Sequence, residues 1–171
     1  MNDIFVEEIV KKEKTAVDKL TVFGMVLLSV LLSVILFFIS ALIPQFSSIL
    51  IVLIAAVVYF TYILSANFNL EYEYALVNSE IDVDKIAAKK RRKKMTTVNL
   101  RKLDFFGKST GADFEKCLKD VSIKKVFACR QKKSEDNYFL VYSEDATRKM
   151  LIFSPSDKII SVIEKVNPKR Y

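Results

Sequence analysis

The chain has 171 residues, with 27 Lys and Arg against 20 Asp and Glu, a formal net charge of +7, two Cys and no His. Without His, imidazole acid–base catalysis, Ser-His and Cys-His nucleophiles and the usual four-ligand zinc sites are excluded. Charge is unevenly placed: residues 20–70 contain no Asp, Glu, Lys or Arg, four Lys precede them, and 23 Lys and Arg follow against 15 Asp and Glu. An apolar stretch and a basic aqueous remainder are therefore separate parts, and the basic surplus suits an anionic partner or solubility.

Residues 1–19 predict an amphipathic helix. Asn2 or Asp3 caps it, Ile4, Phe5, Ile9 and Val10 share one side, and Glu7 with Lys11 and Glu8 with Lys12 are four-apart pairs in the favourable orientation. Residues 20–43 and 46–66 then each supply the roughly 20 apolar residues that a helix needs to cross the hydrocarbon core. Pro44 and Gln45 predict a tight connection, since Pro lacks an N–H and disfavours continuing the preceding helix. The first stretch is far longer than a signal-peptide core. Residues 20–69 are thus expected to form a transmembrane helical hairpin. Ser29, Ser33 and Ser40 lie on one face of the first span, with small residues Ala55 and Ala56 in the second, a pattern for helix packing within the hairpin or between copies. Neither span holds an ionisable residue to mark an ion pathway. Lys11, Lys12, Lys14 and Lys19 before the spans, and the cations after them, place both termini in the cytoplasm.

Residues 70–171 predict a cytoplasmic α+β module long enough to bury its own core. "LEYEYALV" alternates Leu70, Tyr72, Tyr74 and Leu76 against Glu71, Glu73 and Ala75, the period of a half-buried strand; "NSE" turns the chain, and "IDVDKIAA" sets Ile81 and Val83 against Asp82 and Asp84. After the basic run, "MTTVNLRKL" predicts a third strand, closed by a turn at "DFFG". "TGADFEKCLKDV" spaces Phe114, Cys117, Leu118 and Val121 as a short helix. "IKKVFACRQ", "NYFLVYS" and "RKMLIF" read as three more strands, the last two joined by "EDAT". In "SPSDKIISVIEKVNP", Ser154 is expected as N-cap, Pro155 at the first helical position and Asp157 at the third, with an apolar stripe of Ile159, Val162, Ile163 and Val166 and a stop at Asn167 and Pro168.

This order of two spans, "EYEYALVN", "IDVDKI", a basic segment and "FSPSDKIISVIEKVNPKR" resembles a family of small two-span membrane proteins of Clostridia-type bacteria that carries no assigned activity. More distantly, residues 70–171 resemble bacterial pleckstrin-homology-type (PH-like) domains, in which strands form a small barrel or sheet and a C-terminal amphipathic helix packs over it. The tail offers six strands by pattern where the full fold has seven. These resemblances imply the bacterial inner (plasma) membrane and transfer no catalytic residue.

Among motifs that carry chemistry, Gly107-Lys108-Ser109 lacks the upstream glycine of a phosphate loop and reads as a turn. Asp82 and Asp84 share a strand face and read as solvated or ion-paired acids. Cys117 and Cys129 read as free thiols in a reducing compartment. The strongest candidate site is the run Lys89, Lys90, Arg91, Arg92, Lys93 and Lys94, close behind the second span. It reads as an anionic-lipid contact. No aromatics are interleaved for base stacking, which disfavours nucleic acid. The expectation is a non-enzymatic integral membrane protein, without cofactor or metal, whose cytoplasmic module faces anionic lipid and binds a protein partner or a second copy. An accessory subunit of a membrane transport or secretion complex is the alternative.

Overall fold

The computed structural model describes residues 5–167. It separates into two compact units: residues 14–69, and the segment up to Glu13 together with the chain from Leu70 onward.

In the first unit, helix α1 (Ala16–Leu42) and helix α2 (Ser47–Ala66) are joined by a single 3-10 turn at Pro44–Phe46. Both helices are long and apolar enough to cross a membrane. The start of α1 is set by a reciprocal cap: the Thr15 hydroxyl accepts the Asp18 N–H at 3.1 Å, and the Asp18 carboxylate accepts the Thr15 N–H at 3.0 Å. This pair begins the helix four residues before the apolar stretch. The helices pack on each other, and Val22, Met25, Ser29, Ser33, Leu36 and Ser40 form the half-buried stripe of α1, spaced by three and four.

The second unit contains strands β1 (Phe5–Lys11), β2 (Leu70–Val77), β3 (Glu80–Ala87), β4 (Arg91–Asn99) and β5 (Leu103–Lys108), then helix α3 (Ala112–Lys119). Strands β6 (Lys124–Ala128), β7 (Tyr138–Glu144) and β8 (Thr147–Phe153) and helix α4 (Asp157–Val166) complete it. One sheet has the order β1-β2-β3-β4, antiparallel throughout; the other has the order β5-β7-β8-β6, with β6 and β8 parallel. Val10, Tyr72, Tyr74, Leu76, Ile81, Val83 and Val98 of the first sheet share a core with Leu140, Tyr142, Leu151 and Phe153 of the second. Ile159, Val162 and Ile163 of α4 belong to the same core, while Asp157, Lys158, Ser161 and Lys165 are exposed. Phe114 of α3 packs with Phe139, Val141, Met150 and Ile152 on the other face of the second sheet.

The expected helix over residues 1–19 is not what forms: Phe5–Lys11 is a strand, and it pairs with β2 from Phe5↔Val77 to Lys11↔Glu71. "FVEEIVK" satisfies both periods, because Val6 and Val10 alternate with Phe5 and Ile9 as readily as they cluster on a helix. The free edge of β2 decides the matter, offering backbone partners and a core position in which Val10 is 2% exposed. The caps expected at Asn2 or Asp3, and the stop at Pro168, lie outside the described residues. Residues 5–13 consequently belong with residues 70–167 and not to a separate leading segment. The domain is discontinuous, with the apolar helical hairpin inserted between its first and second strands.

Three further boundaries differ from the sequence reading. Arg91–Lys94 are part of β4, so only Ala88–Lys90 form the connecting turn. "DFFG" is strand β5, because the rings of Phe105 and Phe106 stack on Phe139 and Tyr138 across the β5–β7 pair. Gly107 is needed there, since a Cβ would lie 2.9 Å from the Phe105 ring. The N-cap of α4 is Ser156 and not Ser154. The Ser154 hydroxyl is engaged elsewhere, donating to the Asn137 side chain at 2.7 Å and accepting the Arg130 N–H at 3.0 Å. The Ser156 N–H is instead bonded by the Glu8 carboxylate of β1 at 3.0 Å.

The strand assignment of β1 separates two adjacent apolar residues that a helix would treat alike. Val10→Ala is expected to lower stability by about 1.5 kcal/mol, the transfer value of the two methyl groups' worth of lost apolar burial. Ile9→Ala, at a position 54% exposed, is expected to change it by less than about a third of that. Thermal unfolding of the detergent-solubilised full chain followed by circular dichroism checks this; equal losses at both positions would favour the helix.

Candidate functional site

The six-cation run lies at the β3–β4 hairpin, and the hairpin sorts it into two sets. Strand pairing is regular from Glu80↔Asn99 to Val83↔Thr96, then slips so that Asp84 stands opposite Lys94 and Met95 is the extra residue of a bulge. A one-residue slip moves every following side chain to the other face. Thr96 and Val98 are buried on the core side, yet beyond the bulge the core-side positions of β4 are Lys93 and Arg91, and the opposite face receives Lys94 and Arg92.

On that opposite face the cations meet acids. Lys94 Nζ is 2.9 Å from Asp82, Arg92 pairs with Glu73 and lies 3.7 Å from Asp84, and the Thr97 hydroxyl donates to Asp82. Asp82 and Asp84 are thus occupied as ion-pair partners. Burial raises the Asp82 pKa, but the bonds from Thr97 and Lys94 outweigh it and hold the carboxyl below its ordinary value. Glu73 moves the other way: burial, with a further push from Glu7, raises it against the pull of Arg92.

On the core side the arrangement is reversed. Lys85 stands directly opposite Lys93, a like-charge cross-strand pair that disfavours the hairpin, and Ala87 stands opposite Arg91. Lys89 and Lys90 occupy the turn and are exposed. Among the described residues, Lys85, Lys89, Lys90, Arg91 and Lys93 have no ion pair with an acid. The result is five cations without counter-ions at one end of the sheet. The turn also stores strain: Ala88 and Lys89 have φ of 52° and 57°, and the Lys90 N–H closes the turn on the Ala87 carbonyl at 3.1 Å.

The register also shows which end this is. Leu70 pairs with Ala87, and Ala87 with Arg91, so the basic turn is at the end of the sheet where β2 begins. The Lys12 N–H bonds the Leu70 carbonyl at 2.9 Å, so β1 ends there too. Both connections to the apolar helices therefore leave from the end that carries the unpaired cations.

The other sequence-predicted site residues, Ser29, Ser33 and Ser40, fall on the half-buried stripe of α1. The Ser29 and Ser40 hydroxyls donate to Val26 and Phe37 carbonyls of their own helix, each at 2.8 Å. What Ser29 and Ser40 offer a neighbouring helix is therefore small size more than hydrogen bonding. Lys85 was missed in the sequence because a lysine at an alternating strand position has no local mark; only the bulge and register reveal it beside Lys93. Gly107 and Lys108 are inside β5, which removes any likeness to a phosphate loop. Cys117 is half-buried, Cys129 is buried, and both are free.

The chain belongs to the bacterial PH-like domain family DUF6106, which matches residues 2–171. No curated protein and no solved structure matches it.

Two outcomes follow. Ala88→Gly is expected to stabilise the domain by about 1 kcal/mol, because glycine occupies the left-handed region without a Cβ clash, and thermal unfolding reads this directly. Because the Asp82 pKa is lower in the folded chain than in the unfolded one, its contribution is fully present above the ordinary carboxylate range. It is lost as pH falls through the folded value. Asp82→Asn should therefore lower the melting temperature at neutral pH, and the gap to the parent should close on acidification below about pH 4.

Proposed function

We propose that the chain is a non-enzymatic protein of the bacterial plasma membrane, anchored by its two helices with both ends in the cytoplasm, whose split PH-like domain rests its cationic end on anionic lipid headgroups. One observation carries the reading. Among the described residues, Lys85, Lys89, Lys90, Arg91 and Lys93 lack acidic partners, and they share the sheet end from which both helices depart.

Reach supports it. Residues 67–69 alone separate α2 from β2, and three residues span at most about 10 Å. Strand β4 lies two positions across the sheet from β2, about another 10 Å. A tether this short lets the cations reach the headgroups, and each that comes within one Debye length of an anionic leaflet gains about 1 kcal/mol. That energy also offsets the repulsion between Lys85 and Lys93. PH-like domains commonly bind lipids or proteins, so the family supports the same direction.

The pairing of β1 with β2 supports the topology. One strand precedes the first helix and the other follows the second, so joining them in one sheet requires the chain to enter and leave the bilayer on the same side. The excess of Lys and Arg in those flanks names that side as cytoplasmic.

The test uses the full chain in lipid nanodiscs, because residues 70–171 alone lack β1. Backbone hydrogen exchange across residues 85–93 is expected to be slower in discs containing phosphatidylglycerol than in pure phosphatidylcholine, and salt should abolish the difference. Replacing Lys85, Arg91 and Lys93 together by Gln should remove it, while Lys94→Gln should largely keep it. Equal exchange in both lipids would refute the reading.

A further inference from the structure

The second sheet sends its own cations to the same end of the domain. Strand β6 ends at Ala128, and residues 129–137, "CRQKKSEDN", form an irregular connection to β7. This segment is held against the end of β1: the Glu13 N–H donates to the Arg130 carbonyl at 2.9 Å, and the Gln131 amide donates to the Glu13 carboxylate. Two residues earlier in the chain, β1 ends beside Leu70, where the basic turn of the β3–β4 hairpin also lies. Arg130, Lys132 and Lys133 are thereby placed at the end of the domain that carries the hairpin cations.

The loop is built as a fixed presentation. Its organiser is Asn137, a polar side chain with no solvent exposure. Asn137 donates its amide to the Gln131 carbonyl at 2.6 Å and accepts the Ser154 hydroxyl at 2.7 Å, and its backbone bonds Ser109 and Ser134. The Arg130 N–H is held by Ser154, and the Lys132 ammonium sits 4.8 Å from the centre of the Phe127 ring. A wholly buried amide spent on an exposed loop fixes that loop's shape in advance, which lowers the ordering cost of binding. Arg130, Lys132 and Lys133 are all exposed and have no acidic partner among the described residues. The loop's acids, Glu135 and Asp136, fall on its returning half. Lys132 and Lys133 line a cleft of about 430 Å³ together with the hydroxyl-bearing Ser109, Thr110 and Ser134, and Glu115 and Glu135 line it too. The exposed cations of a loop held in one shape match the oxygens of a phosphodiester.

We infer that residues 130–133 form a second headgroup-binding element, in which Arg130, Lys132 and Lys133 engage the phosphates of anionic phospholipid beside the hairpin cations. The inference rests on the membrane-facing reading of that end. It adds a contact that is separate in sequence and in sheet, and so can fail alone.

Amine-reactive labelling of the full chain in nanodiscs, read lysine by lysine in mass spectrometry, tests both elements at once. Lys102 and Lys165 serve as references, because they lie toward the opposite end, where the Asn167 amide bonds the Leu100 carbonyl. The expected result is that adding phosphatidylglycerol to phosphatidylcholine discs slows labelling of Lys132 and Lys133 about fivefold, that salt restores it, and that the references do not change. Protection of Lys89, Lys90 and Lys93 without Lys132 and Lys133 would overturn the inference and leave the hairpin reading standing. Protection of Lys132 and Lys133 alone would support it while removing the hairpin. Equal slowing by inorganic phosphate in pure phosphatidylcholine discs would make the cleft a site for the free ion and overturn the inference. No protection at any of these lysines would overturn both readings.

Discussion

The interaction on which the structure depends is the antiparallel pairing of β1 with β2 across the whole apolar hairpin. Seven residue pairs, continued by the Lys12 to Leu70 hydrogen bond, join segments that are separated in sequence by two long helices. Closing so long a loop costs conformational entropy that grows only slowly with length, and the burial of Val10 with Tyr72, Tyr74 and Leu76 offsets it. With that pairing in place the soluble domain is one body interrupted by a hairpin. Without it the first sheet would lose an edge strand and α4 would lose the Glu8 carboxylate that bonds its N-terminus.

The same pairing explains how a run of six cations acquires a direction. In sequence the run is a uniform block, and its only evident property is charge. On the sheet it is divided by a bulge at a single residue, Met95, which sends Lys94 and Arg92 to the acids of β2 and β3 and leaves Lys93 and Arg91 with Lys85. Without the bulge the two sets would be exchanged. The charge that is free to act outside the domain is therefore decided by backbone register as much as by composition.

Much of the architecture was legible where one period dominated. The apolar stretches, the alternation of "LEYEYALV" and "IDVDKI", and the β7–β8 hairpin around "EDAT" each presented a single reading, and each is found at or near its expected residues. Legibility failed where two periods fitted or where partners were distant. "FVEEIVK" reads as helix because its strand partner lies beyond the two helices. "DFFG" looks like a turn because its aromatic partners, Tyr138 and Phe139, come much later in the chain. Ser154 matches a helix cap locally, but Asn137 and Arg130 claim its hydroxyl. The proposed site was half legible: the hairpin cations could be named, whereas Lys85 and the loop of Arg130, Lys132 and Lys133 required the register and the Glu13 bond to be placed beside them.

The interrupted domain also imposes an order on biosynthesis. A ribosome delivers β1 well before its neighbour, and if the two helices enter a bilayer as proposed, the strand stays unmatched while they do so. Only when Leu70 emerges on the side where β1 waits can the first sheet begin to close. On that reading, correct insertion would be a checkpoint for maturation of the soluble part: a chain whose helices missed the bilayer, or crossed it an odd number of times, would keep an open sheet edge for proteases and chaperones to find.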